Sequence, residues 1–182
     1  MKLYNLNSFY IVTDIKEHQQ NKQKLLDLID NLPADSINDE YEKTSKTDWN
    51  LPKEQKREYL EEFIKLVTPY MNDMADKLKC KFWNIDNGWV QVYNNTDYHH
   101  WHVHKNANYS NVYYLHLPDE SIKTEVYDTI TGNIKKDFEV KEGQMLTLPA
   151  SVIHRSPINT TNQKKVVIVF NSNFDEVDLT IW

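Results

Sequence analysis

From residue 88 onward the chain is cut by turn residues into short apolar stretches, and that punctuation limits the folds open to it. The stretches cover 88–93, 98–104, 111–117, 122–128, 134–140, 144–148, 152–154, 164–171 and 177–182. Asn94-Asn95, Pro118-Asp119, Thr131-Gly132-Asn133 and Glu142-Gly143 separate several of them, and each of these carries turn chemistry. Many short strands at close spacing bury their apolar sides by rolling into a sandwich or barrel. A jelly roll needs about eight strands, and this stretch can supply them.

The first eighty residues read differently. Residues 3–13 alternate weakly and predict a strand. Residues 19–32 place Leu25, Leu28, Ile29 and Leu32 on one helical face, with Pro33 as the stop. Residues 34–51 are polar and read as irregular. Residues 52–79 carry Leu60, Phe63, Ile64, Val67, Met71, Met74 and Leu78 in steps of three and four, a continuous helical stripe. Pro52 suits a first turn, and Pro69 lies inside, where it removes one backbone bond. The expectation is a mainly β fold with N-terminal helices packed on one sheet. It forms a single domain over 1–182, with 1–80 a helical cover and 81–182 the jelly-roll catalytic core.

Composition removes several functions. The 182 residues hold 21 Lys+Arg against 27 Asp+Glu, a net charge of −6 with no basic block. That argues against binding nucleic acid through its phosphates, and against anionic membrane surfaces. The single cysteine, Cys80, can make neither an internal disulfide nor a zinc finger. The longest uninterrupted apolar run, 166–170, is far too short to span a bilayer. The first residues lack the apolar stretch of a signal peptide. A cytoplasmic protein is expected, or one of a host cytoplasm if a phage encodes it.

Four of the seven histidines, His99, His100, His102 and His104, fall within six residues. On a strand His102 and His104 share a face, about 7 Å apart along the backbone, a span that can grip one metal ion. Alternation also puts His100 on that face and His99 on the other. His154, at the end of a short strand after a buried one, is the best third ligand. Three neutral imidazoles suit Fe, Zn, Cu or Ni and leave positions open, as in a catalytic site. Such ligands must be deprotonated, so affinity is expected to fall below about pH 6.5. Retention below that would point to carboxylates such as Asp97 or Asp128. His18 reads as solvent-exposed and His116 as structural. Lys165, at the mouth of the apolar strand Val166 to Phe170, reads either as a rim residue or as a buried cation for a ligand carboxylate. Arg155 is the rival cation, expected to face away. Tyr93, Tyr113 and Tyr114 could add hydroxyls.

Five blocks in order carry a resemblance: Trp89-Val90-Gln91-Val92-Tyr93, His100-Trp101-His102-Val103-His104, Val112-Tyr113-Tyr114-Leu115, Glu142 to Pro149 with His154, and Lys165 to Asn171. In these the chain resembles the 2-oxoglutarate and Fe(II)-dependent oxygenases, which use a double-stranded β-helix of the cupin-like kind. It is similar in particular to a branch of small oxygenases common in phage and marine bacterial genomes. The resemblance covers just under half the chain. It implies Fe(II) on His102, His104 and His154, and 2-oxoglutarate with its outer carboxylate on Lys165. Tyr114 would assist there, and Tyr93 would lie near the co-substrate. The activity implied is hydroxylation of an unidentified small-molecule or protein substrate. The departure is His104, where the family at large has a carboxylate. Three-histidine cupin dioxygenases or zinc hydrolases that ignore 2-oxoglutarate, and a jelly-roll binding module clipped by a metal, are the alternatives.

Overall fold

A computed structural model describes residues 9–52, 54–136 and 139–175. The predicted strand at 177–182, and the start of that at 3–13, lie outside the described residues. The elements are β1 (Ile11–Asp14), α1 (His18–Asp30), β2 (Asp35–Asn38), β3 (Glu42–Thr47), α2 (Glu58–Lys77), β4 (Phe82–Tyr93), β5 (Tyr98–His102), β6 (Tyr109–His116), β7 (Glu125–Tyr127), β8 (Ile134–Lys135), β9 (Gln144–Pro149), β10 (His154–Ser156) and β11 (Lys165–Asp175). All pairings are antiparallel, in the order β1-β9-β6-β11-β4-β3-β5-β10-β7-β8, with β2 beside β3. This is the rolled, mainly β architecture with two helices that the punctuation predicts.

The central strands are buried on both faces, which explains their unbroken apolar runs. On β11, Val166, Ile168 and Phe170 join one core and Val167 and Val169 the other. The same split divides Tyr113 and Leu115 from Val112 and Tyr114 on β6. The first core packs under the helices, against Leu25, Ile29, Phe63, Val67 and Met71. The second fills the inside of the roll with Trp89, Tyr93, Leu146 and Leu148. Burying each of these large side chains contributes about 2 kcal/mol.

Three local readings change. α2 begins at Glu58, so Pro52 is not in its first turn; Pro69 does lie inside it, with its side chain exposed. Residues 34–51, read as irregular, hold β2 and β3. Their polar side chains hid β3, which lies between β4 and β5 with only Thr44 and Thr47 buried, and β2, which pairs with it. His18, read as exposed, is buried at the start of α1. Its Nδ1 is 2.7 Å from the Tyr113 hydroxyl, and its ring lies on Gly143. Gly143 has φ +83°, and a Cβ there would sit 2.8 Å from the imidazole, so glycine is needed twice over. Among the described residues no helix is long and apolar enough to cross a membrane.

Candidate metal centre

β10 lies against β5 and delivers His154 opposite His102. The next pair is Ser156 with His99, two residues on β10 against three on β5. That extra residue is a β-bulge, which breaks alternation. It turns His99 to the side of His102, where the two rings stack at 4.0 Å and 13°. His100 is left exposed beside Tyr98. The expectation that His100 shares the face of His102 while His99 points away is therefore reversed.

His102, His104 and His154 each offer one nitrogen within 4.8 Å of the others. Their ring centroids are 4.5 to 5.2 Å apart. Each ring is oriented through its other nitrogen. Nδ1 of His102 lies 2.7 Å from the His100 carbonyl, Nδ1 of His154 lies 2.8 Å from the Val152 carbonyl, and Nδ1 of His104 lies 2.7 Å from Asn171 Oδ1. These oxygens only accept, so Nδ1 carries the proton and Nε2 the lone pair, that of His104 lying 3.2 Å from Ser110 Oγ. Such an arrangement fits a late first-row divalent ion, with positions left open for other ligands. Burial pushes His104 down to about 4 and His154 down to about 3, and lowers His102 as well. His104 and His154 are neutral, and ready to bind, well below pH 6.5.

The pocket around them occupies about 380 Å³, counting its open mouth. Trp89, Val112, Val167 and Val169 form its apolar wall, and Lys165, Tyr93, Thr124 and Ser156 its polar end. Lys165 is 1% exposed. Its ammonium donates to the Ile122 carbonyl (2.7 Å) and Ser156 Oγ (2.8 Å), and sits 5.1 Å from the Tyr93 ring. Two acceptors leave one N–H unspent. No ion pair to Lys165 is seen among the described residues, and burial pushes it down to about 7. The rim reading thus gives way to a buried cation.

Tyr93 also lines the pocket, its hydroxyl donating to Gln91 Oε1 at 2.6 Å. Tyr114 does not. Its hydroxyl donates to Thr124 Oγ1 (2.7 Å) and accepts from the Thr124 amide (3.1 Å), one layer behind the pocket. Tyr113 faces the helices instead. Arg155 lies over the Trp101 ring at 4.4 Å and pairs with Glu125 at 2.6 Å. Asp97 holds the 94–97 turn through Ser45 and the Asn94 amide, and Asp128 caps its own turn; neither lies with the three rings. His116 pairs with Glu142 on the helix side.

Sequence reasoning missed Asn171, Gln91, Glu42 and the inward turn of His99. Asn171 ends the apolar run of β11, where a buried amide has to have a partner. That was the available signal. The bulge left none.

No protein-family profile matches the chain, and no curated protein matches it. Solved structures do. A 2OG-Fe(II) oxygenase family oxidoreductase from Burkholderia pseudomallei matches with TM-score 0.66 at 12% identity, over 90% of this chain and 85% of that one. A prolyl-4-hydroxylase from Pseudomonas putida matches with TM-score 0.62 at 11% identity, over 91% of both chains. HygX from Streptomyces hygroscopicus, solved with nickel, 2-oxoglutarate and hygromycin B bound, matches with TM-score 0.60 at 10% identity, over 93% of this chain and 84% of that one. At such identities the likeness is one of fold, and the fold of this chain is that of the 2OG-Fe(II) oxygenases.

Proposed function

We propose that this chain is a non-haem Fe(II)- and 2-oxoglutarate-dependent oxygenase acting on C–H bonds, of the small branch that the sequence blocks resemble. The observation that carries the reading is one pocket holding both a three-imidazole metal cradle and a buried ammonium with an unspent N–H. A buried cation without an anion is costly, and a ligand carboxylate would relieve that cost.

When bound, iron and 2-oxoglutarate together supply the oxidising power, and this fold's neighbours include oxygenases of that kind. The chain's own residues bind and orient. His102, His104 and His154 hold the metal through Nε2. Lys165 donates to the outer carboxylate, with Ser156 and Tyr93 fixing where its ammonium sits. Trp89, Val112, Val167 and Val169 keep water from the reacting groups. Tyr114 supports Thr124, which lines the pocket.

The test is succinate release from 2-oxoglutarate by iron-loaded protein in oxygen. Slow turnover is expected even without a primary substrate. A second reading, a three-histidine metalloenzyme that ignores 2-oxoglutarate, draws on the grouping of three histidines, which among the described residues includes no carboxylate. It predicts no succinate, and an anaerobic Fe(II) spectrum that 2-oxoglutarate leaves unchanged.

A further inference from the structure

We infer that Glu42 is the charge-balancing carboxylate of the three-histidine centre, acting from behind His99 and not as a ligand. The inference rests on the metal-binding part of the reading above, and not on the co-substrate.

Among the described residues no carboxylate touches the rings of His102, His104 or His154. A divalent ion held there would keep its full +2 charge. The carboxylate that approaches them is Glu42, on β3, whose side chain is 13% exposed. Its Oε1 accepts from Thr44 and from Gln91 Nε2 (2.9 Å). Its Oε2 is 3.8 Å from His99 Nε2. Gln91 Nε2 also lies 3.3 Å from His99 Nδ1. An amide N–H donates there, so the His99 proton is on Nε2 and faces the carboxylate. A face of His99 is stacked on His102. Carboxylate, imidazole and metal ligand thus stand in series.

The partnering of Glu42 is what sets it apart. Glu125 is more deeply buried but is matched by Arg155 and Lys136. Lys43, beside Glu42 in sequence, leans to Asp97. No Lys or Arg pairs with Glu42 among the described residues. A buried anion with only neutral donors around it is expensive, and the cation within its reach is the one the three histidines would hold. The bulge in β5 makes this possible, because strict alternation would have carried His99 away from both.

Glu42→Gln keeps the size and one oxygen for Thr44 and Gln91 while removing the charge, so cobalt(II) titration followed by absorption reads the electrostatic part. With a single imidazole between the carboxylate and the ligand ring of His102, the loss of a unit charge predicts at least about tenfold weaker Co(II) binding. The band positions stay unchanged, since the ligands do. The Fe(III)/Fe(II) ratio at fixed potential shifts about tenfold towards Fe(II), a rise of roughly 59 mV. Glu42→Asp, which retains the charge, recovers affinity to within about threefold. Affinity and potential that do not move in Glu42→Gln overturn the inference. So do Co(II) bands that change in His99→Phe, which would make His99 a ligand. Wild-type protein that binds no Co(II) instead removes the metal centre itself.

Discussion

Lowering the pH from 7.5 to 5.5 separates this site from an ordinary cluster of surface histidines. At pH 5.5 an imidazole of ordinary pKa, near 6.5, is about nine-tenths protonated, and a metal must displace that proton at a cost of roughly tenfold in affinity. Three such rings lose about 10³. In this site burial holds His104 near 4 and His154 near 3. At pH 5.5 those two are almost fully neutral and cost next to nothing. His102 is lowered as well, so its share stays below that of an ordinary ring. The Co(II) or Zn(II) dissociation constant, measured by calorimetry at both pH values, is therefore expected to rise by less than about tenfold. A rise of two decades or more would refute the claim that burial keeps these rings neutral.

The same burial acts on stability with a defined sign. The unfolded chain takes up the His154 proton near pH 6.5, but the folded, metal-free protein does so only near 3. Stability contributed by the neutral ring is complete above 6.5 and is lost progressively as pH falls towards 3. At pH 5 the loss from this residue, 3% exposed, is about 2 kcal/mol. Bound metal does not remove this loss, because it is the unfolded chain that takes up the proton; metal-loaded and metal-free protein both lose it, and the gap in melting temperature does not widen from pH 7 to pH 5.

Other side chains give sharper single-site tests. Lys165→Ala raises the 2-oxoglutarate concentration needed for half-maximal succinate release by at least about tenfold, while Co(II) affinity, read by calorimetry, stays within about threefold. Asn171→Ala removes the acceptor that orients His104 and weakens Co(II) binding by about 10- to 100-fold. Asp48→Ala leaves Arg57 without its partner at 2.9 Å and the Val90 amide without its acceptor, which costs about 3–5 kcal/mol and appears as a lower urea midpoint.

The rolled sheet was legible because its central strands are buried on both faces, so that Val166 to Phe170 reads as an unbroken apolar run bounded by polar turns. α2 was legible from its stripe, but its start was not. Residues 52–57 resemble a helical turn in composition, and the chain there instead closes on Asp48, whose carbonyl and that of Leu51 are held by Arg57. β3 was hidden by its polarity. Its Thr44 and Thr47 are buried, while its other side chains stay partly exposed, and no periodicity marks such a strand. At the site, the grouping of His102, His104 and His154 could be read from spacing plus one distant strand end. The turning of His99 could not, because a bulge is set by the register between β5 and β10, and register is a property of the pair.

The two halves of the pocket set opposite pH limits. His104 and His154 lose their lone pairs to protons only near pH 4 and below, and His102 does so below the ordinary imidazole range, so the metal end is bounded from the acid side. The ammonium of Lys165, with its pKa pushed down to about 7 by desolvation, gives up its proton just where most proteins work, so the anion end is bounded from the alkaline side. An arriving carboxylate stabilises the charged form and draws that proton back. Anion binding at this end is therefore coupled to proton uptake, and its affinity declines by up to about tenfold for each pH unit above 7. A site built from three surface histidines and a rim lysine would show neither limit, since its rings would protonate near 6.5 and its lysine would stay charged to pH 10. A protein that binds metal at pH 5 but loosens its grip on 2-oxoglutarate at pH 8 has its cradle and its cation buried in the same dry pocket.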